Sequence, residues 1–309
     1  MRLEEQVLYV YAALQHLKHD RSTVEIGEEL GVSRFMVGRM VKRARDDGLV
    51  EVRPRLSDPI DAELSRAVAE RFGLHSALAA VTPSDDPDHV RSVIAAVAAR
   101  LVTELIVEDD IVGLGPGRTI VEMCSKITDI PTCDVVQLTG VATSEAEESL
   151  RAVMTLSRVA SGRMYPMHAP LVATDAAAAH AISAQPAIKQ ALQRMGRLHK
   201  AVLTIGGWPS SSLLADQIRQ LGDLPRLERE GVVAEIGTTL LDADGREVHA
   251  LDGQIIGIST EQLARVPMTV AIGGGAGKER AVLAALRSGF VDVLVTDVQT
   301  ARAALDSVA

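Results

Sequence analysis

The stretch Ser22–Gly48, STVEIGEELGVSRFMVGRMVKRARDDG, reads as two short helices around a tight turn, with arginine and lysine concentrated in the second. Ser22 or Thr23 can cap a helix from Thr23 to Leu30 whose apolar contacts are Val24, Ile26 and Leu30. Gly31 suits the turn, because a residue without Cβ takes positive φ at no steric cost, and Ser33 then caps the next helix. In that helix Val37, Met40, Val41 and Ala44 fall on one stripe, while Arg34, Phe35, Gly38, Arg39 and Lys42 fall toward the other side. The stripe is expected to pack and the other side to read DNA, as a recognition helix in the major groove does with its N-terminal residues and its cations. The candidate DNA-contacting residues are Ser33, Arg34, Phe35, Met36, Arg39, Lys42 and Arg43. The competing reading is a plain helical hairpin with a solvated charged face.

Upstream, Leu3, Val7, Leu8, Val10, Tyr11, Leu14 and Leu17 recur at helical spacing, which predicts an amphipathic helix over Leu3 to Lys18. Downstream, Gly48 reads as a helix stop and Leu49 to Val52 as a short β segment or wing, with Pro54 closing a module of residues 1–54. Arg55 to Pro59 is a polar break, and apolar residues from Ile60 to Phe72 then predict a linker helix at about 58–72. That helix is either the first of the next domain or a dimer-forming hinge.

At 309 residues the chain has room for one small and one large domain. Its 47% hydrophobic and 24% charged content exclude a disordered chain, and 2% aromatic residues argue against a stacking platform for single strands. The net charge of −9 would repel nucleic acid if it were spread evenly. Residues 1 to 55 carry ten Lys+Arg against nine Asp+Glu, a balance of +1, so the remainder holds −10 and the basic face of the second short helix survives. Cys124 and Cys133 show neither a CxxC pair nor a histidine cluster, so neither a disulfide framework nor a zinc site is expected. Arg2, Glu4 and Glu5 are unlike an export signal and no apolar run is long enough to span a bilayer, so a cytoplasmic protein with no membrane contact is expected.

From residue 77 onward short β-branched runs alternate with alanine-rich helical stretches, the pattern of a parallel sheet with crossover helices. Three runs end in glycine: Asp110 to Val112 leads into GLGPGRT (113–119), Ala201 to Ile205 into GGW (206–208), and Met268 to Ile272 into GGGAGK (273–278). Each loop precedes a helix, so its amides and the positive end of that helix point to the same sheet edge, a natural anion site. Arg118 and Lys278 can add full charge there and Thr119 a hydroxyl. The loops match neither GxxxxGK[ST], which needs glycine at Ile272 and Ser or Thr at Glu279, nor GxGxxG, which fails at Arg118 or Ile120; no nucleotide cofactor is expected. Acids able to meet a ligand are Glu235, Asp242, Asp244, Asp252 and Asp297, of which Glu235 follows a strand and DADG (242–245) reads as a hairpin turn. No metal-ligand spacing and no nucleophile–base pairing emerge, so no catalytic residues are assigned.

Taken together, these residues resemble the SorC family (SorC/DeoR type) of bacterial sugar-responsive transcriptional regulators over nearly the whole chain. EIGEELGVSRFMVGRMVKRAR (25–45) is similar to the family's EIAxxLGxSRxxVSRLLxxAR, and VGLGPGRTI (112–120), GVVAEIGTTLLDADG (231–245), IIGIST (255–260) and AIGGGAGKERAVLAALRSGFVDVLVTDVQTARAAL (271–305) are similar to its effector-domain marks. The resemblance implies an α/β protein: a helix-turn-helix domain at 1–54, with or without a wing, then a Rossmann-like domain at 55–309, similar to ribose-phosphate isomerase and glucosamine-phosphate deaminase, for effector binding and oligomerisation. It further implies that the protein is not an enzyme, that it binds double-stranded operator DNA as a homo-oligomer, a dimer or tetramer, and that a sugar, polyol or sugar phosphate controls it. The expected effector-binding residues are Gly115, Gly117, Arg118, Thr119, Gly206, Gly207, Glu235, Gly275 and Lys278. Gly27, Gly38, Glu235 and the pair Thr238–Thr239 depart from the family's usual alanine, serine, aspartate and Gly-Arg. The alternative is a sugar-phosphate isomerase or deaminase-like enzyme carrying a DNA-binding module, with Glu235 or Asp252 as its base.

Overall fold

Two serines close the open helix ends of the first unit. Ser22 Oγ accepts from the Glu25 amide (3.2 Å) and Ser33 Oγ from the Met36 amide (3.2 Å), so α2 (Thr23–Leu30) and α3 (Arg34–Asp46) start where the sequence predicts. Gly31 ends α2 at φ +66°, in the left-handed region that its lack of Cβ makes free. Val37, Met40, Val41 and Ala44 of α3 are all buried, and the first three share a core with Ile26 of α2 and Ala12 of α1 (Leu3–Leu17). The computed structural model describes residues 1–51, 58–142 and 146–307, and the chain divides into two compact units, Met1–Ser57 and Asp58–Ala309.

The predicted β segment after α3 does not form within the described residues. The Leu49 and Val50 amides both turn back onto the Ala44 carbonyl (2.8 and 3.0 Å), which spends them on ending the helix rather than on a ladder. Val52, Pro54 and the first residues of the polar break lie outside the described residues. The predicted linker helix is shorter than expected, Ala62–Phe72. Ile60–Asp61 is instead a strand, β1, and the Asp61 side chain accepts from the Leu64 amide (2.9 Å), capping the helix four residues late. Val68 of this helix is fully buried in the core of the larger unit, the place of a first domain helix.

The other strands are β2 (Ser76–Ala80), β3 (Asp110–Leu114), β4 (Cys133–Gln137), β5 (Met164–Tyr165), β6 (Lys200–Gly207), β7 (Ala234–Ile236), β8 (Thr239–Leu241), β9 (Met268–Ile272) and β10 (Val293–Asp297). They form one sheet in the order β1-β2-β10-β9-β6-β3-β4-β5, parallel from β2 to β5, with β1 antiparallel at one edge and the β7–β8 hairpin antiparallel to the end of β6. Both faces are covered, so successive residues of a strand feed different cores. Ile111, Leu203, Ala271 and Leu294 pack on one side, and Val112, Val202, Val270 and Val293 on the other. That is why the strands read as continuous apolar runs. From β3 the chain proceeds outward to β4, whereas from β6 it proceeds the other way to β9, so the order reverses between neighbouring strands β3 and β6. A crevice opens at such a reversal beyond the carboxyl ends of the strands.

The first unit has few large buried side chains, which makes Ile26 critical. Ile26→Ala is expected to cost about 2–4 kcal/mol, enough to unfold this unit while leaving that of residues 58–309 intact. Calorimetry is expected to show loss of the first unit's transition with an unchanged second one.

Candidate functional site

The carboxyl ends of β3, β6 and β9 meet in a cleft of about 430 Å3 that is roofed by loops and floored by the sheet. Glycine is required there by proximity. A Cβ at Gly115 would lie 2.6 Å from Leu203 Cδ2, one at Gly117 2.9 Å from Thr204 Oγ1, and one at Gly206 2.5 Å from Glu235 Cγ. Gly117 also has φ +124°, and Gly275 and Gly277 have φ +90° and +85°. The third loop is pinned from below by Asp297, whose carboxylate accepts from the Gly275 amide (2.6 Å), the Gln299 and Thr300 amides and the Thr300 hydroxyl. Asp297 is thus an anchor for the loop rather than a ligand contact.

Three helices that follow strand-end loops begin at this cleft. Those at Arg118–Lys126 and Glu279–Arg287 have no side-chain cap, so their first amides keep their donors for another partner. The third, Leu213–Gln220, is capped by Ser212, which accepts from the Ala215 amide (2.9 Å) and donates to Glu235 Oε2 (2.6 Å). Glu235 also accepts from the Leu213 amide (3.2 Å). Burial pushes the Glu235 carboxyl up to about 7, although the Ser212, Leu213 and Leu214 hydrogen bonds and the Lys278 charge pull it down. Lys278 donates to the Ile205 carbonyl (3.2 Å); burial holds its ammonium below the usual lysine range, Glu235 opposes this, and Arg118 and Arg91 reinforce it.

Of the nine residues expected at the effector site, seven line the cleft: Gly117, Arg118, Thr119, Gly206, Glu235, Gly275 and Lys278. Gly115 lies behind its wall against Leu203, and Gly207 pairs with Ser211 and Ala234, so both shape the cleft without lining it. Asp242 accepts from the Asp244 and Arg246 amides in the DADG turn, and Asp252 sits beside His249; neither lines the cleft. Reading the sequence missed Arg91, Ser211 and Asp216. Arg91 comes from the helix Pro87–Leu105, where it bonds Asp88 (2.8 Å) and approaches Glu122 (3.5 Å). No local motif marks it, and only the fold brings it to the loops. The assembled groups suit an anion with polar substituents: free amides, three cations, two carboxyl groups and serine hydroxyls.

On the first unit, Ser33, Arg34, Phe35, Met36, Arg39, Lys42 and Arg43 are all exposed on α3, with Phe35 68% accessible. The Arg34 guanidinium lies over the Phe35 ring (4.9 Å to its centre) and Arg39 reaches the Met36 sulfur (3.5 Å). Among the described residues, Arg43 is the member of this set in an ion pair, with Asp47 (3.4 Å).

No helix among the described residues is long and apolar enough to cross a membrane. Residues 60–306 match the family model described as "Putative sugar-binding domain". The chain is 26% identical to the uncharacterized transcriptional regulator YjhU of Escherichia coli K12, over 94% of this chain and 92% of that one, and 25% identical to the deoxyribonucleoside regulator of Bacillus subtilis 168, over 98% of each. Its fold is similar to that of the full-length sorbitol operon regulator SorC from Klebsiella pneumoniae, with a TM-score of 0.72 at 20% identity, over 97% of this chain and 98% of that one. With a family match that runs from β1 to β10, the chain belongs to the "Putative sugar-binding domain" family.

Proposed function

We infer that the protein is a transcriptional regulator of carbohydrate metabolism, in which residues 1–54 bind operator DNA and residues 55–309 bind a sugar, polyol or sugar-phosphate effector and hold a homo-oligomer together. The observation that carries this reading is the convergence of two uncapped helix N-termini with Arg118 and Lys278 on one cleft. A phosphate there meets oriented amides and full charge together. Glu235 and the serines then face the rest of the ligand, and a carboxyl half-protonated near neutral pH both donates to and accepts from hydroxyl groups. The protein works in the cytoplasm and recognises rather than converts its ligand. Among the described residues, Glu235 and Asp216 are the carboxyl groups lining the cleft; Glu235 is already engaged by Ser212 and Leu213, and no histidine joins them.

The effector acts by binding one arrangement of the oligomer more tightly than another, and only one arrangement matches the half-site spacing on DNA. Fluorescence anisotropy of labelled operator, titrated with and without a panel of sugar phosphates, is expected to show a shift in affinity for at least one of them. NMR of the same mixtures is expected to show no turnover; conversion of a sugar phosphate would instead support the isomerase-like reading.

Substitutions separate the two activities. Arg34→Ala or Arg39→Ala is expected to weaken specific DNA binding by roughly 1–3 kcal/mol where the side chain meets a guanine, with effector binding unchanged. Lys278→Ala is expected to do the reverse, abolishing the effector response while DNA binding persists. Glu235 gives a pH signature as well. Its carboxyl titrates higher in the folded protein than its ordinary value of 4.5, so its stabilising contribution is complete below about 4.5 and is lost as pH rises through about 7. Glu235→Gln is expected to flatten the fall of thermal stability between pH 5 and 8 by up to about 3 kcal/mol, measured by calorimetry across that range.

A further inference from the structure

Two glycines stand inside the helices of the first unit, and their surroundings differ. Gly27 of α2 is buried, and a Cβ there would lie 2.7 Å from the Val32 carbonyl oxygen, so the turn between α2 and α3 requires it. Gly38 stands in the middle of α3 on its exposed face, and a Cβ there would meet no atom within 4 Å beyond its own helix backbone. Its backbone has no positive φ that a side chain would strain. Glycine is nonetheless the least favourable residue but proline for a helix interior, and alanine would both fit here and strengthen the helix. The chain's own packing gives no reason for the gap, whereas an outside body that comes close to the α3 backbone does.

What borders the gap identifies that body. Arg34 and Phe35 stand one turn before Gly38 and Lys42 one turn after, with Arg39 beside it, all exposed. Three cations thus surround the gap, and α3 carries no acid before Asp46, which suits a polyanion. The exposed Phe35 ring lies beneath the Arg34 guanidinium, so apolar surface also flanks the gap. A major groove about 12 Å wide takes a helix about 10–12 Å across only tightly, and a missing side chain lets the helix axis come nearer to the base edges. At Gly38 the outward group is a CH2, because the peptide N–H and C=O are committed to the helix. Such a surface reads shape rather than hydrogen bonds, and the projecting apolar shape in that groove is the C5-methyl of thymine. On the reading of residues 1–54 as the DNA-binding unit, we propose that Gly38 is a specificity-determining residue: with Phe35 it forms a socket for one thymine methyl of the operator.

The test moves one methyl group between base and protein. Full-length protein selects its preferred duplex from a random pool, and uracil then replaces each thymine of that duplex in turn, which removes only the C5-methyl. Failure to enrich any sequence would overturn DNA reading by residues 1–54, and the socket with it. Uracil at the socketed thymine is expected to weaken binding about fourfold, the worth of one buried methyl. Indifference at every thymine would overturn the socket and leave the DNA reading standing. Gly38→Ala is expected to raise the melting midpoint of the first unit by about 4–8 °C, yet to weaken binding to the thymine duplex by about tenfold or more, because its Cβ and the base methyl compete for one space. On the uracil duplex the same substitution is expected to cost less than about threefold, since that space is then free. An equal loss on both duplexes would put a phosphate rather than a thymine against Gly38, and a lowered midpoint would mean that the fold itself uses the glycine; either result overturns the proposal.

Discussion

The larger unit depends on how closely its backbone can approach itself at one edge of the sheet. β3, β6 and β9 run side by side, and at their carboxyl ends the chain must turn away without side chains between neighbouring strands. Leu203, Thr204 and Glu235 occupy the volumes where Cβ atoms of Gly115, Gly117 and Gly206 would otherwise stand. The glycines are thus set by sterics first and chemistry second. Because no side chains intervene, the first amides of two helices have no side-chain cap at the cleft, and the same economy of atoms that allows the packing suits the cleft to the proposed anion.

That edge carries an electrostatic imbalance. Lys278 and Glu235 are both withdrawn from water, each is driven toward its neutral form by burial, and each partly restores the charge of the other. Arg91 and Arg118 add positive potential, with Arg91 partly compensated by Asp88 and Glu122. The proposed anion would favour the charged form of the lysine, which already ties the loop after β9 to the carbonyl of Ile205 on β6. The opposite edge is balanced within the protein, where Lys200 is paired with the buried Asp110. Under the proposed function, one end of the sheet is finished by its own residues and the other by a guest.

Much of this was legible in the residue order because the relevant signals are local. Ser22, Gly31 and Ser33 punctuate two helices, and the 3.6-residue stripe of α3 names its buried residues. Three strand-to-helix loops identify themselves by glycine after β-branched residues. What was not legible comes from packing between distant segments. Arg91 and Asp216 enter the cleft from helices whose sequences carry no mark of it. The α1 periodicity announces an apolar face but not what covers it, and alanines too small to dominate a pattern turn out to make the contact with α3. The short β1 and the late start of the next helix follow from a pairing with Ala79 and Ala80, which local preferences do not contain. The absent segment at Leu49–Glu51 shows the converse: the residues suit a strand, yet the carbonyl of Ala44 takes two of their amides.

The order of the strands also has a consequence in time. α1, α2 and α3 are closed by contacts within the first 51 residues, whereas the cleft needs β3, β6 and β9 side by side and is finished only when Lys278 has been made. At roughly 5–20 residues per second, a ribosome delivers the reading head on the order of 10 s or more before the sensor it answers to. Under the proposed function, each newborn molecule thus passes through an interval in which its DNA-reading unit is folded and its effector site does not yet exist.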